Sequence, residues 1–265
     1  MQTARIIDHI TDWLRSYCGR NGQRGFVIGI SGGIDSAVTS ALCARTGLPT
    51  LCVEMPIHQA FSQVQRAQDH IAWLRQRHPN VQVEVVKLTP VFDQLVAAFP
   101  KPDGDHQLQL SLANTRARLR MTTLYYFAGL LRFLVAGTGN KVEDFGIGFF
   151  TKYGDGGVDL SPIADLTKTE VYAVARELGI IESILQAKPT DGLWGDDRSD
   201  EDQIGASYPE LEWAMDLRER GLEAEALGLT PRQREVLAIF DRRQAANAHK
   251  MTLPPVCAIP AELKR

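Results

Sequence analysis

The stretch "GISGGIDSAV" at 29–38 constrains the fold of this chain more than any other. It follows the apolar run "FVI" at 26–28, and the helical pattern "SAVTSALCART" continues from it as far as Gly47. A second apolar run, "TLCVEM", occupies 50–55. This order predicts a β-α-β unit, which implies parallel strands and a right-handed crossover. The glycine-rich loop then joins a strand to its crossover helix.

The rest of the chain continues the alternation of helix and strand. Apolar residues at helical spacing predict a helix over 3–18, and further elements follow the glycine loop. These are helices near 60–77, 90–98 and 108–129, and strands at 81–87 and 132–137. The pattern predicts an α/β fold: a doubly wound, mostly parallel sheet with helices on both faces and a helical C-terminal part.

Capping boxes, "TKTE" at 167–170 and "TPRQ" at 230–233, mark the starts of two later helices. The segments 151–162 and 188–206 show no periodicity and are rich in Gly, Asp and Pro, so we expect irregular, functional loops there. We expect one domain over 1–265, with an N-terminal helix within 1–20 and a helical segment over 206–265.

Composition excludes several classes of function. A net charge of -3 is not that of a surface built for nucleic acid. No run of about 18 apolar residues occurs, and the N-terminus lacks a long apolar core, which predicts a cytoplasmic protein with no membrane partner. The four cysteines (Cys18, Cys43, Cys52, Cys257) contain no C-x-x-C pair, so buried reduced thiols are favoured over a zinc site.

The glycine loop has the composition of a phosphate site. Gly32 and Gly33 let backbone N–H groups approach a ligand closely, and the following helix adds its positive end. The Walker A and dinucleotide-binding patterns are both absent from it. Asp35 beside a polyphosphate indicates a cation between them, so it predicts a Mg²⁺ ligand. The alternative is that Asp35 and Ser36 only cap the helix.

The motif S-G-G-x-D-S after a strand resembles the pyrophosphate loop of the N-type ATP pyrophosphatases. Further motifs resemble ammonia-dependent NAD synthetases and occur in the same order. They are "TRARLRM" at 115–121, "VAGTGNKVE" at 135–143, "GFFTKYGDGGVDLSPIADLTKTEV" at 148–171, "KPT" at 188–190, "SDEDQIGASYPELE" at 199–212 and "HK" at 249–250. The resemblance implies that the chain adenylates deamido-NAD with ATP and Mg²⁺, that ammonia then displaces AMP, and that the chain forms a homodimer.

The same resemblance implies roles for individual residues. The implied ATP-binding residues are Gly29, Ile30, Ser31, Gly32, Gly33, Ile34, Asp35, Ser36, Thr138, Lys168 and Thr190. The implied metal ligands are Asp35 and Glu143, and the implied catalytic residues are Asp155 and Lys168. The implied deamido-NAD contacts are Arg118, Lys152, Asp159, His249 and Lys250. Arg116 and Arg120 lie on the same helix as Arg118, so the choice of arginine stays open. Each role competes with a plain structural one, as a loop Thr, a turn Asp or a solvated Lys.

Some positions depart from the usual pattern of the family. Asn140 and Lys141 stand where many members have Asp-His-Ala, and the segment before the Phe pair is one residue longer. "PTDGLWGDD" at 189–197 and Met251 after "HK" also differ. These changes leave the ATP half intact and bear on the nicotinate end.

Three alternatives remain beside the interpretation as an ammonia-dependent NAD synthetase. A GMP synthetase-like or asparagine synthetase-like enzyme would share the loop but not "FFTKYGDGG", and a tRNA-thiolating relative would need paired cysteines. A catalytically inactive nucleotide-binding module would have lost Asp35, Glu143 or Lys168, and all three are present. About 25 residues before the first strand are too few for a glutaminase domain, so we expect free ammonia as the nitrogen source.

Overall fold

A computed structural model describes residues 1–100, 106–190, 199–222 and 228–264. Within them, one sheet contains strands β1 (Phe26–Gly29), β2 (Thr50–Glu54), β3 (Val81–Val85) and β4 (Leu134–Val135). The strand order is β3-β2-β1-β4, and every neighbouring pair is parallel. The chain therefore winds outward from β1 in both directions, which confirms the doubly wound fold. The carboxyl end of β1 is the place where such sheets bind ligands.

Helices cover both faces of the sheet and build the C-terminal part. They are α1 (Thr3–Arg20), α2 (Ile34–Arg45), α3 (Phe61–Arg77), α4 (Thr89–Ala98), α5 (His106–Leu131), α6 (Lys168–Leu178), α7 (Glu182–Leu185), α8 (Asp200–Ile204), α9 (Tyr208–Glu219) and α10 (Pro231–Asn247), with a π-helix at Lys141–Ile147 and 3₁₀ turns at Ala248–Lys250 and Ala261–Lys264. None of the described helices combines the length and apolarity needed to cross a lipid bilayer.

Burial follows the two faces of the strands. Phe26 and Ile28 point into a core formed with α1, α2, α3 and α6, whereas Val27 points into a second core formed with α4 and α5. Strands buried on both faces have continuous apolar sequences, as the central strands of parallel sheets do. A third cluster joins α9, α10 and the π-helix. The described elements thus have the helical C-terminal part that the sequence predicts.

Most of the predicted elements are confirmed within a few residues, and two predictions need correction. The strand predicted over 132–137 is only two residues long, because Arg132 adopts a left-handed conformation (φ 58°) and Ala136 forms an isolated bridge with Leu160. The prediction of an irregular 188–206 is wrong at α8, a helix too short to show periodicity. Residues 191–198 of that segment lie outside the described residues.

The capping boxes are confirmed. Thr167 Oγ accepts from the Glu170 amide at 3.4 Å, and the Glu170 carboxylate accepts from the Thr167 amide at 2.9 Å. Thr230 and Gln233 form the same pair at the start of α10. These contacts fix where α6 begins, and therefore where Lys168, its first residue, points.

A buried histidine couples this fold to pH. His70 on α3 is fully buried, and its Nε2 lies 2.9 Å from Ser40 Oγ on α2. Among the described residues its Nδ1 has no hydrogen-bond partner, so an imidazolium would bury an unpaired N–H. Burial lowers the pKa of His70 from 6.5 to about 4.

We therefore expect stability to fall as the pH is lowered from 6.5 toward 4. As the pH falls, His70 takes up a proton in the unfolded chain at a higher pH than in the folded protein. The stabilisation from neutral His70 is therefore complete above pH 6.5, and roughly 3 kcal/mol of it is lost near pH 4. Urea unfolding at pH 7 and pH 5 measures the change. His70→Gln serves as the reference, because it keeps a polar group beside Ser40 and does not titrate. An equal loss in both proteins would contradict the assignment to His70.

Candidate active site

Two serines fold the glycine loop at the carboxyl end of β1. Ser31 Oγ and Ser36 Oγ lie 3.0 Å apart, the Gly33 amide donates to Ser31 Oγ at 3.2 Å, and Ser36 Oγ donates to the Gly33 carbonyl at 3.0 Å. These contacts close the loop onto the first turn of α2, which also carries Asp35. The loop thus places the N-terminus of α2 at the edge of the sheet, which is the geometry of an anion site.

Gly32 is the position in this loop where only glycine fits. Its φ is +81°, and a Cβ atom would lie 2.5 Å from the Gln63 carbonyl oxygen of α3. We expect Gly32→Ala to push the loop away from α3. This should lower the free energy of unfolding by about 1–3 kcal/mol and raise the KM for ATP. Thermal unfolding and the KM for ATP measure the two effects.

Gly47 provides a matched control for that substitution. Its φ is +76°, but a Cβ there would have no heavy atom within 4 Å. Gly47→Ala should therefore show the backbone strain alone, with the KM for ATP unchanged. If both variants lost ATP affinity equally, the close approach of α3 to the loop would not be the cause.

Three charged side chains meet beside the loop. Lys168 Nζ lies 2.7 Å from Asp35 Oδ2 and 2.9 Å from Glu143 Oε1. The lysine is only 3% exposed. Burial by itself would lower the pKa of Lys168, but the two carboxylates outweigh it and raise the pKa, so the ammonium stays charged. Two carboxylate oxygens from distant parts of the sequence thus converge on one cation.

The π-helix aligns this triad. Buried Asn140 caps it, since its Oδ1 accepts from the Glu143 amide at 3.1 Å, and its Nδ2 lies 3.3 Å from Asp35 Oδ1. Each hydrogen bond of a π-helix spans one more residue than in an α-helix, and π-helical turns are found frequently at functional sites. The segment that is one residue longer than the usual family pattern therefore forms a wide turn here. Asn140, one of the departures from that pattern, joins the Asp35 carboxylate to the backbone amide of Glu143.

Further carboxyl groups line the same cavity, which has a volume of about 270 Å³. Asp144 follows Glu143 on the π-helix and lies against Gly139, where a Cβ would be 1.9 Å from Asp144 Oδ2. Burial and then the charge of Glu143 raise the pKa of Asp144 well above its usual value. Asp155 also lines the cavity, and its Oδ1 accepts a hydrogen bond from the Thr151 amide at 3.0 Å. Loss of hydration beside the cavity walls raises the pKa of Asp155, although the residue is exposed, and that amide opposes the effect.

The residues expected to bind ATP or metal, or to act in catalysis, gather in this cavity. Its lining includes Gly29, Ile30, Ser31, Gly32, Gly33, Ile34, Asp35, Ser36, Thr138, Glu143, Asp155, Lys168 and Thr190. Arg120 also lines it, where its Nη2 donates to Gln59 Oε1 at 2.7 Å. Arg116 instead stacks on Phe92.

The residues expected to contact deamido-NAD lie just outside the cavity lining. Arg118 Nε donates to the Lys152 carbonyl at 3.3 Å, and Lys152 Nζ donates to the His249 carbonyl at 2.6 Å. Lys250 Nζ donates to the Gly148 and Phe150 carbonyls at 3.0 and 2.9 Å. The structure thus brings four of the five together. Asp159 stands apart, and its oxygens accept from Tyr125 Oη at 3.0 Å and the Val135 amide at 2.8 Å.

Two residues at the site were not expected from the sequence. Tyr208, at the start of α9, donates its hydroxyl to Glu143 Oε1, and Lys168 Nζ lies 4.7 Å from the centre of its ring. Its only signal in the sequence is its place in "SYPELE". Arg66 on α3 lines the cavity, and a single arginine on a helix gives no signal of its own.

Known proteins resemble this chain in sequence and in fold. The family model described as NAD synthase matches residues 6–254. An NH(3)-dependent NAD(+) synthetase from Carboxydothermus hydrogenoformans is 38% identical over 251 residues, which is 94% of this chain and 95% of that relative.

Two solved structures match the fold over nearly its whole length. NMN synthetase from Francisella tularensis has a TM-score of 0.82 and 29% identity, covering 98% of this chain and 100% of that one. NH3-dependent NAD synthetase from Campylobacter jejuni, in complex with the nitrate ion, has a TM-score of 0.78 and 26% identity, with coverage of 97% and 100%. The chain therefore belongs to the NAD synthase family.

Proposed function

We propose that the protein is a ligase that amidates deamido-NAD with ammonia, using ATP and releasing AMP and pyrophosphate. The observation that carries this proposal is the convergence of Asp35, Glu143 and Lys168 beside the glycine loop. The family match supports the choice of substrates. An inactive nucleotide-binding module would not need these three side chains intact, with Lys168 Nζ within 3 Å of both carboxylates.

The reaction needs two steps, because a carboxylate is not attacked directly by ammonia. The nicotinate carboxylate of deamido-NAD first attacks the α-phosphorus of ATP, forming a P–O bond and releasing pyrophosphate. Ammonia then attacks the acyl carbon and expels AMP. The amides at 31–36 that do not already donate to Ser31 or Ser36 bind phosphate oxygens, and the Lys168 ammonium offsets the charge of the departing pyrophosphate.

We propose that Asp35 and Glu143 hold Mg²⁺. Their oxygens already converge on a single cation, the Lys168 ammonium, and oxygen donors are the ligands that Mg²⁺ prefers. When bound, the ion neutralises phosphate charge. Asn140 and Tyr208 keep the two carboxylates in place through hydrogen bonds to Asp35 and Glu143.

We propose that Arg118, Lys152, His249 and Lys250 bind the dinucleotide, with Asp159 beside its hydroxyl groups. The segments that carry these residues lie next to Asp155. The charge of Lys250 acts to lower the pKa of Asp155, and the charge of Asp155 acts to raise the pKa of Lys250. Asp155 is the proposed acceptor of a proton from the incoming nitrogen, because it is a carboxyl with a raised pKa that faces the cavity. Its bond to the Thr151 amide holds one oxygen in place and leaves the other free for that role.

We also propose a homodimer that packs through α5. This helix exposes large apolar side chains, with Tyr126 64% and Leu130 65% exposed. Apolar surface on a long helix marks an interaction face. Sedimentation velocity measures the assembly.

A cytoplasmic location stays a prediction.

A second candidate substrate is nicotinate mononucleotide. The observation that favours it is the match to the Francisella tularensis NMN synthetase over nearly both whole chains. The mononucleotide carries the same nicotinate carboxylate, so the two steps above would apply unchanged. Only contacts beyond the first phosphate distinguish the two substrates.

One experiment tests both candidates. The purified protein is incubated with ATP, Mg²⁺, ammonium and either deamido-NAD or nicotinate mononucleotide, and the products are separated by chromatography. We expect NAD, AMP and pyrophosphate in equal amounts from deamido-NAD. A higher kcat/KM for the mononucleotide would make the second candidate the function. ATP cleavage without amide formation from either substrate would contradict both.

A further inference from the structure

Arg66 lies on α3 where this helix covers the glycine loop. Its Nε donates to the Gly32 carbonyl at 3.3 Å, and its side chain is half-buried in the lining of the cavity. The contact exists because Gly32 has no Cβ. A Cβ there would lie 2.5 Å from the Gln63 carbonyl and 3.4 Å from Arg66 Cβ. One turn of α3 therefore rests directly on the loop.

Arg66 is a cation beside a loop that is surrounded by carboxylates. Asp35, Glu143, Asp144 and Asp155 all line the cavity, and the Lys168 ammonium is held by two of these carboxylates. Arg66 forms no ion pair within the described part of the chain. Its hydrogen bond to Gly32 uses one of the five N–H donors of a guanidinium. The remaining donors are available to an anion at the loop.

Arginine at this place suits a phosphate better than lysine does. The planar guanidinium can donate two parallel hydrogen bonds to one phosphate group, and its bond to Gly32 restricts its orientation. Arg66 approaches the loop from α3, whereas Lys168 approaches from α6. A polyphosphate on the loop would thus meet cations from two sides.

We propose that Arg66 is a binding residue for the pyrophosphate portion of ATP, both before and after the bond to the α-phosphorus is broken. This inference rests on the proposed use of ATP by the site. It adds a contact from α3, which lies outside the glycine loop and outside every motif singled out in the sequence.

The test compares Arg66→Gln and Arg66→Lys with a control on the same helix, Arg75→Gln. Arg75 is exposed and lies nine residues after Arg66 on α3. Pyrophosphate binding is measured directly by calorimetry with Mg²⁺ present, and the KM values for ATP and deamido-NAD are measured separately. We expect Arg66→Gln to weaken pyrophosphate binding and to raise the KM for ATP, each by roughly tenfold, with the KM for deamido-NAD unchanged. Arg66→Lys should show a smaller loss of each kind.

Unchanged pyrophosphate affinity in Arg66→Gln would overturn the proposal, and so would an equal loss in Arg75→Gln. Thermal unfolding of each variant shows whether it is folded, and Arg66→Lys keeps a charged donor should the Gln variant be unstable. Because calorimetry requires no turnover, a wild-type protein that binds pyrophosphate through Arg66 but makes no NAD would contradict the proposed reaction and not this inference.

Discussion

Asp35→Asn and Glu143→Gln should each reduce adenylation by at least about a thousandfold. Both substitutions keep the shape of the side chain and remove its charge, so the proposed metal site loses one of its two carboxylates. Exchange of labelled pyrophosphate into ATP, in the presence of deamido-NAD, isolates the first step. Stability should also fall, because Lys168 is buried and would keep only one partner.

Asp165→Asn is the matched control for these variants. Asp165 precedes α6, its side chain is fully exposed, and it lies 4.0 Å from Lys141 Nζ. We expect exchange and stability to remain at the wild-type level. Wild-type exchange rates in both Asp35→Asn and Glu143→Gln would remove these two residues from the metal site.

The second large effect concerns the nitrogen source. With glutamine in place of ammonium, we expect the purified protein to form NAD at less than about 1% of the ammonium rate, because glutamine hydrolysis needs an activated nucleophile. Burial raises the pKa of Cys18, Cys43 and Cys52, that of Cys52 to about 12, which disfavours a reactive thiolate. Cys257 lies on the exposed C-terminal tail.

The pH dependence of the ammonium requirement provides a second measurement. Unprotonated ammonia is the nucleophile, so the total ammonium concentration that gives half the maximal rate should decrease as pH rises through the mildly alkaline range. Efficient use of glutamine by the purified chain would contradict the prediction. Activity with glutamine only after a partner protein is added would show that a separate subunit supplies the ammonia.

The sequence predicted the elements that carry strong local signals. The glycine loop, the apolar strands and the Thr167 capping box each depend on neighbouring residues, so their placement near β1 and α6 followed from the sequence. The convergence of Asp35, Glu143 and Lys168 was implied only by the resemblance to a family. In the sequence, 25 residues or more separate each of the three from the next. No local pattern brings such residues together.

Contacts between distant elements were not predictable in this way. Arg66 on α3 lines the cavity, and Tyr208 on α9 contacts Glu143 and Lys168, which line it. The apolar spacing of a helix indicates which of its faces is buried, but not which other element covers that face. The π-helix was also missed, although the extra residue before the Phe pair was visible. An inserted residue can form a bulge, a loop or a wide turn, and the choice here depends on Asn140, which caps the turn from a buried position.

The hydroxyl of Tyr208 also ties catalysis to a remote part of the molecule. Tyr208 belongs to the cluster of α9 and α10, which is held together by apolar contacts and by the pairing of Glu210 with Arg232. If this cluster opens transiently while the sheet stays folded, Glu143 loses its hydrogen bond to Tyr208 in every molecule that has opened. The free energy of that partial opening, and not the global unfolding free energy, then sets the temperature at which activity disappears. Hydrogen exchange of the α9 and α10 amides would report it as faster exchange there than in β1 and β2.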